Sequence, residues 1–247
     1  MAYDYGFSSV YDRFCEAAEP ERRAEFALAL LRRAGVTGGI LLDLCCGTGK
    51  MTEAYVRAGF DVIGADLSEE MLDIARARFA ETGSNVLLLC QDMRELDLFG
   101  TINACVCTLD SVNHLTDEMD VLRAFERVSL FTEPGGAFVF DVNTPYKHAE
   151  VLGNNAFVFE DETAFLVWQN FYEPENCTVV EALDLFVENS DGTYTREQDE
   201  IIERAYEPAL LERLLYEAGF SSVETFGDLE LSPPKETDER LWFVAKK

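Results

Sequence analysis

Histidine is nearly missing from this chain: His114 and His148 are the only two in 247 residues. The seven cysteines include no Cys-x-x-Cys pair. A zinc centre would therefore lack a ready ligand set, and the odd cysteine count argues against a disulfide framework. No metal site is expected. No apolar run reaches the ~18–20 residues that a membrane helix needs. The opening "MAYDYGFSSVYDRF" carries no basic-then-apolar leader. A cytoplasmic protein with no membrane partner is the expectation. Positive charge is short as well, with 20 Lys and Arg against 47 Asp and Glu and a formal net charge of −27. That surface repels phosphate backbones, so a nucleic-acid substrate is disfavoured.

The hydrophobic content, 48%, is that of a globular chain able to bury a core. Cys45, Cys46, Cys90, Cys105 and Cys107 stand in or beside apolar runs. Reduced cysteine there acts as a small buried hydrophobe.

The segment up to about Ala34 reads as helical, with Gly35 as its stop. From Gly39 the pattern becomes short apolar runs separated by helices. The runs are "ILLDLCC", "DVIGAD", "NVLLLCQD", "INACVCTL" and "GGAFVFDV". Strands alternating with helices predict a mainly parallel sheet covered on both faces. Ser68 is an expected N-cap, and Pro134-Gly135-Gly136 is expected to end a helix before its strand. After Asp141 the character changes. Phe157 to Arg204 hold extended runs separated by turn-like linkers, with Val179, Glu181, Leu183, Leu185 and Val187 on one register. This predicts an antiparallel sheet inserted over 146–204, between an α/β domain formed by 39–145 and 205–247. Residues 1–38 are expected to form a helical segment or lid. The helix "PALLERLLYEAGF" and the runs "SSVETFG" and "RLWFVAKK" close the chain. A terminal antiparallel strand then completes a seven-stranded, Rossmann-like sheet.

In such a sheet, ligands bind beyond the carboxyl ends of the strands. The residues there are Asp43 with Cys45-Cys46-Gly47-Thr48-Gly49, then Asp66, then Asp92, then Leu109 to His114, then Asn143. A phosphate loop fails, because Met51 follows Gly49-Lys50 and no glycine precedes at the required offset. A dinucleotide fingerprint matches in part: Gly47-x-Gly49 is present, with Thr52 in the third place. Asp66 is placed to accept hydrogen bonds from ribose hydroxyls, though a strand-end acid also serves as a helix cap. Asp92 is open to the same two readings, with an adenine amino group as the ligand.

The stretches "LLDLCCGTGKMT", "VIGADLSEEMLDIARAR", "VLLLCQDMREL", "TLDSVNHL" and "PGGAFVFDVN" together resemble the class I S-adenosylmethionine-dependent methyltransferases, over roughly residues 39–145. The resemblance implies S-adenosylmethionine as cofactor and S-adenosylhomocysteine as product. It implies that Asp43, Gly47 and Gly49 receive the methionine part, Asp66 the ribose, and Asp92 with Met93 the adenine, with Cys45, Leu67 and Leu109 also in the cofactor site. Cys45 stands where many members carry glycine. The opening "YDYGFSSVYDRF" and the inserted sheet resemble the branch that methylates amines of small molecules. That likeness implies Tyr11 and His114 beside the reacting methyl. As alternatives, Tyr11 is a lid anchor and His114 a helix cap. Asp110, Asn113 and Asn143 are the expected substrate-binding polar groups. The inserted sheet is expected to shape the acceptor pocket or a homodimer surface. Three other functions stay open: an RNA or protein methyltransferase, a non-catalytic cofactor-binding protein, and a nucleotide-dependent oxidoreductase.

Overall fold

The computed structural model describes residues 11–14 and 18–247. Tyr3 to Val10, most of the expected N-terminal lid motif, lie outside the described residues. Residues 11–14 are helical. Helix α1 (Pro20–Arg33) follows, with proline in its first turn, where the missing N–H costs nothing. Its inward residues Leu30 and Leu31 are fully buried, each worth ~1.5–3 kcal/mol relative to exposure.

The central elements are β1 (Ile40–Leu44), α2 (Thr52–Arg57), β2 (Asp61–Asp66), α3 (Glu69–Thr82), β3 (Leu87–Cys90), β4 (Ile102–Cys107), α4 (Glu118–Phe131) and β5 (Thr132–Asn143). After the insertion come α5 (Pro208–Glu217), β10 (Ser222–Phe226) and β11 (Arg240–Lys246). The seven strands lie in the order β10-β11-β5-β4-β1-β2-β3. β1 pairs parallel with β2 on one side and with β4 on the other. The chain order reverses between β1 and β4, so their carboxyl ends open the crevice in which such sheets bind ligands. β11 runs antiparallel to both of its neighbours.

Strand side chains alternate between two cores. Leu42, Cys105, Phe138, Phe140 and Phe243 pack with α4 and α5. Leu41, Val106, Val139 and Trp242 pack with α1 and α2 on the opposite face. The two-faced covering read from the sequence is the one found. Ser68 caps α3, its hydroxyl accepting from the Met71 N–H at 3.2 Å.

Two readings need correction. The Pro134-Gly135-Gly136 segment does not separate helix from strand. α4 ends at Phe131 and β5 begins at Thr132, whose hydroxyl donates to the Val128 carbonyl at 2.8 Å and satisfies the helix end. The prolyl-diglycyl segment is a bulge within β5, because Ile102 faces Thr132 while Ala104 faces Ala137. Cys90 is exposed, not buried. It sits on β3, the sheet edge, whereas Cys105 and Cys107 on central β4 are fully buried.

The inserted sheet is a separate antiparallel unit of β6 (Ala156–Glu160), β7 (Ala164–Glu173), β8 (Thr178–Glu188) and β9 (Tyr194–Arg204), in that order. Val179, Glu181, Leu183 and Leu185 of β8 share its buried face, as the alternation predicts. Among the described residues, no helix is long and apolar enough to cross a membrane.

Candidate active site

One cavity of about 540 Å³ runs from the crevice beyond β1 and β4 to the buried face of the inserted sheet. Its floor is the loop after β1. Asp43, the last inward acid of β1, is buried and accepts a hydrogen bond from the Thr52 hydroxyl at 2.5 Å. Burial pushes its carboxyl up to about 7; the Thr52 bond opposes the shift and the charge of Asp66 adds to it. Cys45 then turns the chain with φ of 61°, a conformation unusual for a side-chain-bearing residue. Its thiol lies against that of Cys107, and this contact together with burial holds it well above the ordinary thiol range.

Gly47 and Gly49 differ in what they do. Gly47 has φ of 53°, lines the cavity, and has no atom of the described residues within 4 Å of where a Cβ would stand. The space beside it is open for a ligand to approach the backbone. Gly49, with φ of 75°, does not line the cavity. A Cβ there would meet the Phe79 ring of α3 at 2.5 Å. Its smallness serves helix packing, which departs from the expected ligand contact.

Asp66 ends β2 and holds the loop. Its two carboxylate oxygens accept from the Gly47 N–H at 2.8 Å and the Ser68 N–H at 2.9 Å. Burial raises its pKa, and these two N–H groups oppose the shift. Leu67 lines the same wall and is partly exposed. Asp92 also lines the cavity, but Arg94 grips its carboxylate and holds it below the usual range. Arg94 bonds Asp120 as well, at 2.8 Å. Met93 and Leu109 also line the cavity.

Beyond β4 the chain takes two consecutive left-handed residues, Leu109 at 57° and Asp110 at 55°. The turn aims Asp110 at Arg240 and Asn143, from which it accepts hydrogen bonds at 2.9 and 2.6 Å. Burial acts to raise the Asp110 carboxyl, but Arg240, Lys147 and His114 outweigh it and hold it well below its ordinary value. Asn143 also donates to Glu203 at 3.0 Å and accepts from Lys147 at 2.8 Å. The His114 Nε2 lies 3.7 Å from Glu203, and His148 Nε2 lies 3.5 Å from the other oxygen of the same carboxylate. The inserted sheet supplies the roof: Phe159, Leu166, Trp168, Leu183 and Ile201, with Glu181 and Glu203 among them. Trp168 Nε1 is buried with no hydrogen-bond partner among the described residues.

Residues 11–14 close one side. Asp12 accepts from the Thr48 hydroxyl at 2.6 Å and pairs with Arg78 of α3. Arg13 pairs with Asp161 at 2.9 Å and donates to the Thr163 hydroxyl at 2.8 Å. The segment thus ties the glycine loop to the inserted sheet and sets Tyr11 at the cavity wall.

Of the residues expected from sequence, Tyr11, Asp43, Cys45, Gly47, Asp66, Leu67, Asp92, Met93, Leu109, Asp110, His114 and Asn143 come together around this one cavity. Asn113 does not. It is fully buried, donates to the Asn143 and Arg204 carbonyls at 3.1 and 2.9 Å, and accepts from the Asn143 N–H at 2.9 Å. Its amide is consumed in tying β5 to β9, so a substrate role is corrected to a structural one. Sequence reasoning missed Asp12, Lys147, Glu181, Glu203 and Arg240. For Glu181 a signal existed, namely a charge on the apolar register of β8.

The fold and the open backbone at Gly47 define a Rossmann-like α/β scaffold for a nucleoside ligand without a phosphate loop. A model of the methyltransferase domain matches residues 41–136. A putative methyltransferase of Bacillus subtilis is 34% identical over 243 residues, 98% of this chain and 96% of its own. A solved S-adenosylmethionine-dependent methyltransferase from Clostridium acetobutylicum superposes with a TM-score of 0.88 at 30% identity, over 98% of this chain and 97% of that one. A Streptomyces fradiae protein named dTDP-3-amino-3,6-dideoxy-alpha-D-glucopyranose N,N-dimethyltransferase is 32% identical over 120 residues, 49% of this chain and 46% of its own. The chain belongs to the S-adenosylmethionine-dependent methyltransferases, and S-adenosylmethionine is its cofactor.

Proposed function

We propose that the protein methylates the nitrogen of a small-molecule amine. One observation carries this reading: the cofactor crevice and the pocket under the inserted sheet are a single cavity of about 540 Å³. That volume suits a small molecule placed beside its cofactor. The roof offers aromatic faces from Phe159 and Trp168 and carboxylates from Glu181 and Glu203, a lining that favours a cationic or amine-bearing body. The Streptomyces fradiae relative, by its name, acts on an amino sugar.

Bound S-adenosylmethionine supplies a methyl group already activated by the sulfonium charge. Gly47 leaves its backbone open to the cofactor, Asp66 receives the ribose hydroxyls, and Asp92 with Met93 borders the base. Tyr11 and His114 face the acceptor end. His114 takes the proton of an acceptor that arrives protonated, with Glu203 behind its ring at 3.7 Å. Alignment of nitrogen and methyl is the larger part of the work, since holding both reactants in one site lowers the barrier most.

The test is transfer of labelled methyl from S-adenosylmethionine to pooled small metabolites and, separately, to cell-extract RNA and protein. Label in small amines supports the reading. Label confined to macromolecules, or to oxygen acceptors, defeats it.

A further inference from the structure

We propose that Glu181 is the residue that binds the acceptor's positive charge, its carboxylate pairing with a substrate ammonium. This rests on the amine reading above and adds the group that selects for it.

Glu181 lies on β8 between Val179 and Leu183, on the face that alternation assigns to the core. It is 7% exposed and lines the cavity. Its cross-strand partners are Asn170 on β7 and Ile201 on β9. No hydrogen-bond donor reaches it among the described residues, whereas the other carboxylates of the cavity each have one. Asp43 has Thr52, Asp66 has Gly47 and Ser68, and Asp92 has Arg94. Asp110 has Arg240, and Glu203 has Asn143.

The carboxylate opens on the cavity, and an acid set there in a largely apolar roof without a donor costs more than an apolar residue would. Its place on an otherwise apolar register, facing the cavity, suits a partner that arrives with the ligand. The surroundings agree. Burial raises the Glu181 carboxyl well above its usual range; Glu203 on β9 and Asp110 beyond β4 add to this, and Lys147 after β5 opposes it. Lys147 favours the ionised form as a neighbouring cation does, and a bound ammonium would act in the same sense and more strongly at contact distance. The rings of Trp168 and Phe159 stand in the same roof, ready to cover the body of the ligand. An uncharged hydroxyl acceptor would leave Glu181 as it is.

The test uses Glu181→Gln, which keeps the shape and removes the charge, together with Glu181→Asp. The whole protein saturated with S-adenosylhomocysteine is titrated calorimetrically with glycine, sarcosine, ethanolamine, putrescine and glucosamine, with phenol and catechol as uncharged probes. Labelled-methyl transfer is run on the same set. We expect at least one amine to bind and to accept methyl. Glu181→Gln should weaken its binding, and raise its KM, by about 30-fold or more. Glu181→Asp should recover part of the loss, and cofactor affinity and melting temperature should stay near wild type. Unchanged amine affinity in Glu181→Gln overturns the assignment while leaving the amine reading intact. An equal loss of cofactor affinity also overturns it, by making Glu181 structural. Binding of none of the amines overturns it too. Methyl transfer only to the uncharged probes defeats both the amine reading and this one.

Discussion

Gly47 donates its backbone N–H to the Asp66 carboxylate at 2.8 Å, joining the tip of β1 to the end of β2. The same carboxylate accepts from Ser68 at the start of α3. One acid therefore shapes the loop and, on the reading proposed above, also receives the ribose. Replacing Asp66 with Ala should weaken S-adenosylmethionine binding by about tenfold or more, since a charge-assisted pair is lost with the loop brace. Isothermal titration measures this, and an unaltered Kd would remove Asp66 from the cofactor site.

Gly49 should tolerate no side chain. A Cβ 2.5 Å from the Phe79 ring overpacks the loop against α3, and the positive φ adds backbone strain. Gly49→Ala is expected to cost roughly 2–4 kcal/mol of stability. Pairing it with Phe79→Ala should restore part of that cost, because the clash then has no second party. Urea unfolding of both single variants and the double variant decides; strict additivity would place the strain elsewhere.

Stability should fall as pH rises through the range of Asp43. Its folded pKa is about 7, above the ordinary aspartate value of 3.8. The folded state thus holds a proton that the unfolded state has released. The associated stability is complete below about pH 4 and is lost as pH climbs through 7. The full effect is on the order of a few kcal/mol. Asp43→Asn should flatten this part of the profile. Melting curves from pH 5 to 8 check it, and parallel profiles for the two proteins would contradict it.

His114→Ala should lower turnover by about 100-fold if the acceptor arrives protonated, while cofactor affinity stays within a factor of two or so of wild type. Stopped turnover with intact binding is the expected signature. Equal loss of both would move His114 to the cofactor or to the fold.

Asp12 links Thr48 and Arg78, so Asp12→Asn should loosen the segment that closes the cavity. We expect weaker cofactor binding by about 3- to 10-fold, in line with one or two lost charge-assisted bonds at a partly exposed position. Faster cleavage near residue 12 in limited proteolysis should accompany it. Protection equal to wild type would argue that the Arg13 contacts with Asp161 and Thr163 hold the segment without Asp12.

Much of this molecule was legible in the sequence. Short apolar runs alternating with helices foretold the parallel sheet, and Ser68 announced the start of α3. The alternation from Val179 to Val187 gave the face of the inserted sheet. These signals are local, and backbone geometry makes them periodic. The acceptor pocket was less legible because its groups meet only through long-range pairing. Arg240 reaches Asp110 because β11 lies beside β5, with Arg240 opposite Asn143. Asn113 misled for a related reason. Its type and place suggested substrate contact, yet its amide is spent on two backbone carbonyls and one N–H that sequence does not bring together. Pro134-Gly135-Gly136 has the composition of a turn, but the sheet absorbs it as a bulge.

The four antiparallel strands enter the chain as one uninterrupted segment between β5 and α5. The cofactor crevice draws mainly on the earlier segment from Asp43 to Leu109. On the reading proposed above, the later stretch supplies the roof over the acceptor, while Tyr11, Asp110, His114 and Asn143 meet the same cavity from outside it. If that reading holds, point changes on the inward face of the later stretch alter the acceptor's roof while the loop after β1 stays as it is. A scaffold divided in this way is well suited to diversification by descent, and equally to the exchange of roofs between relatives at the laboratory bench.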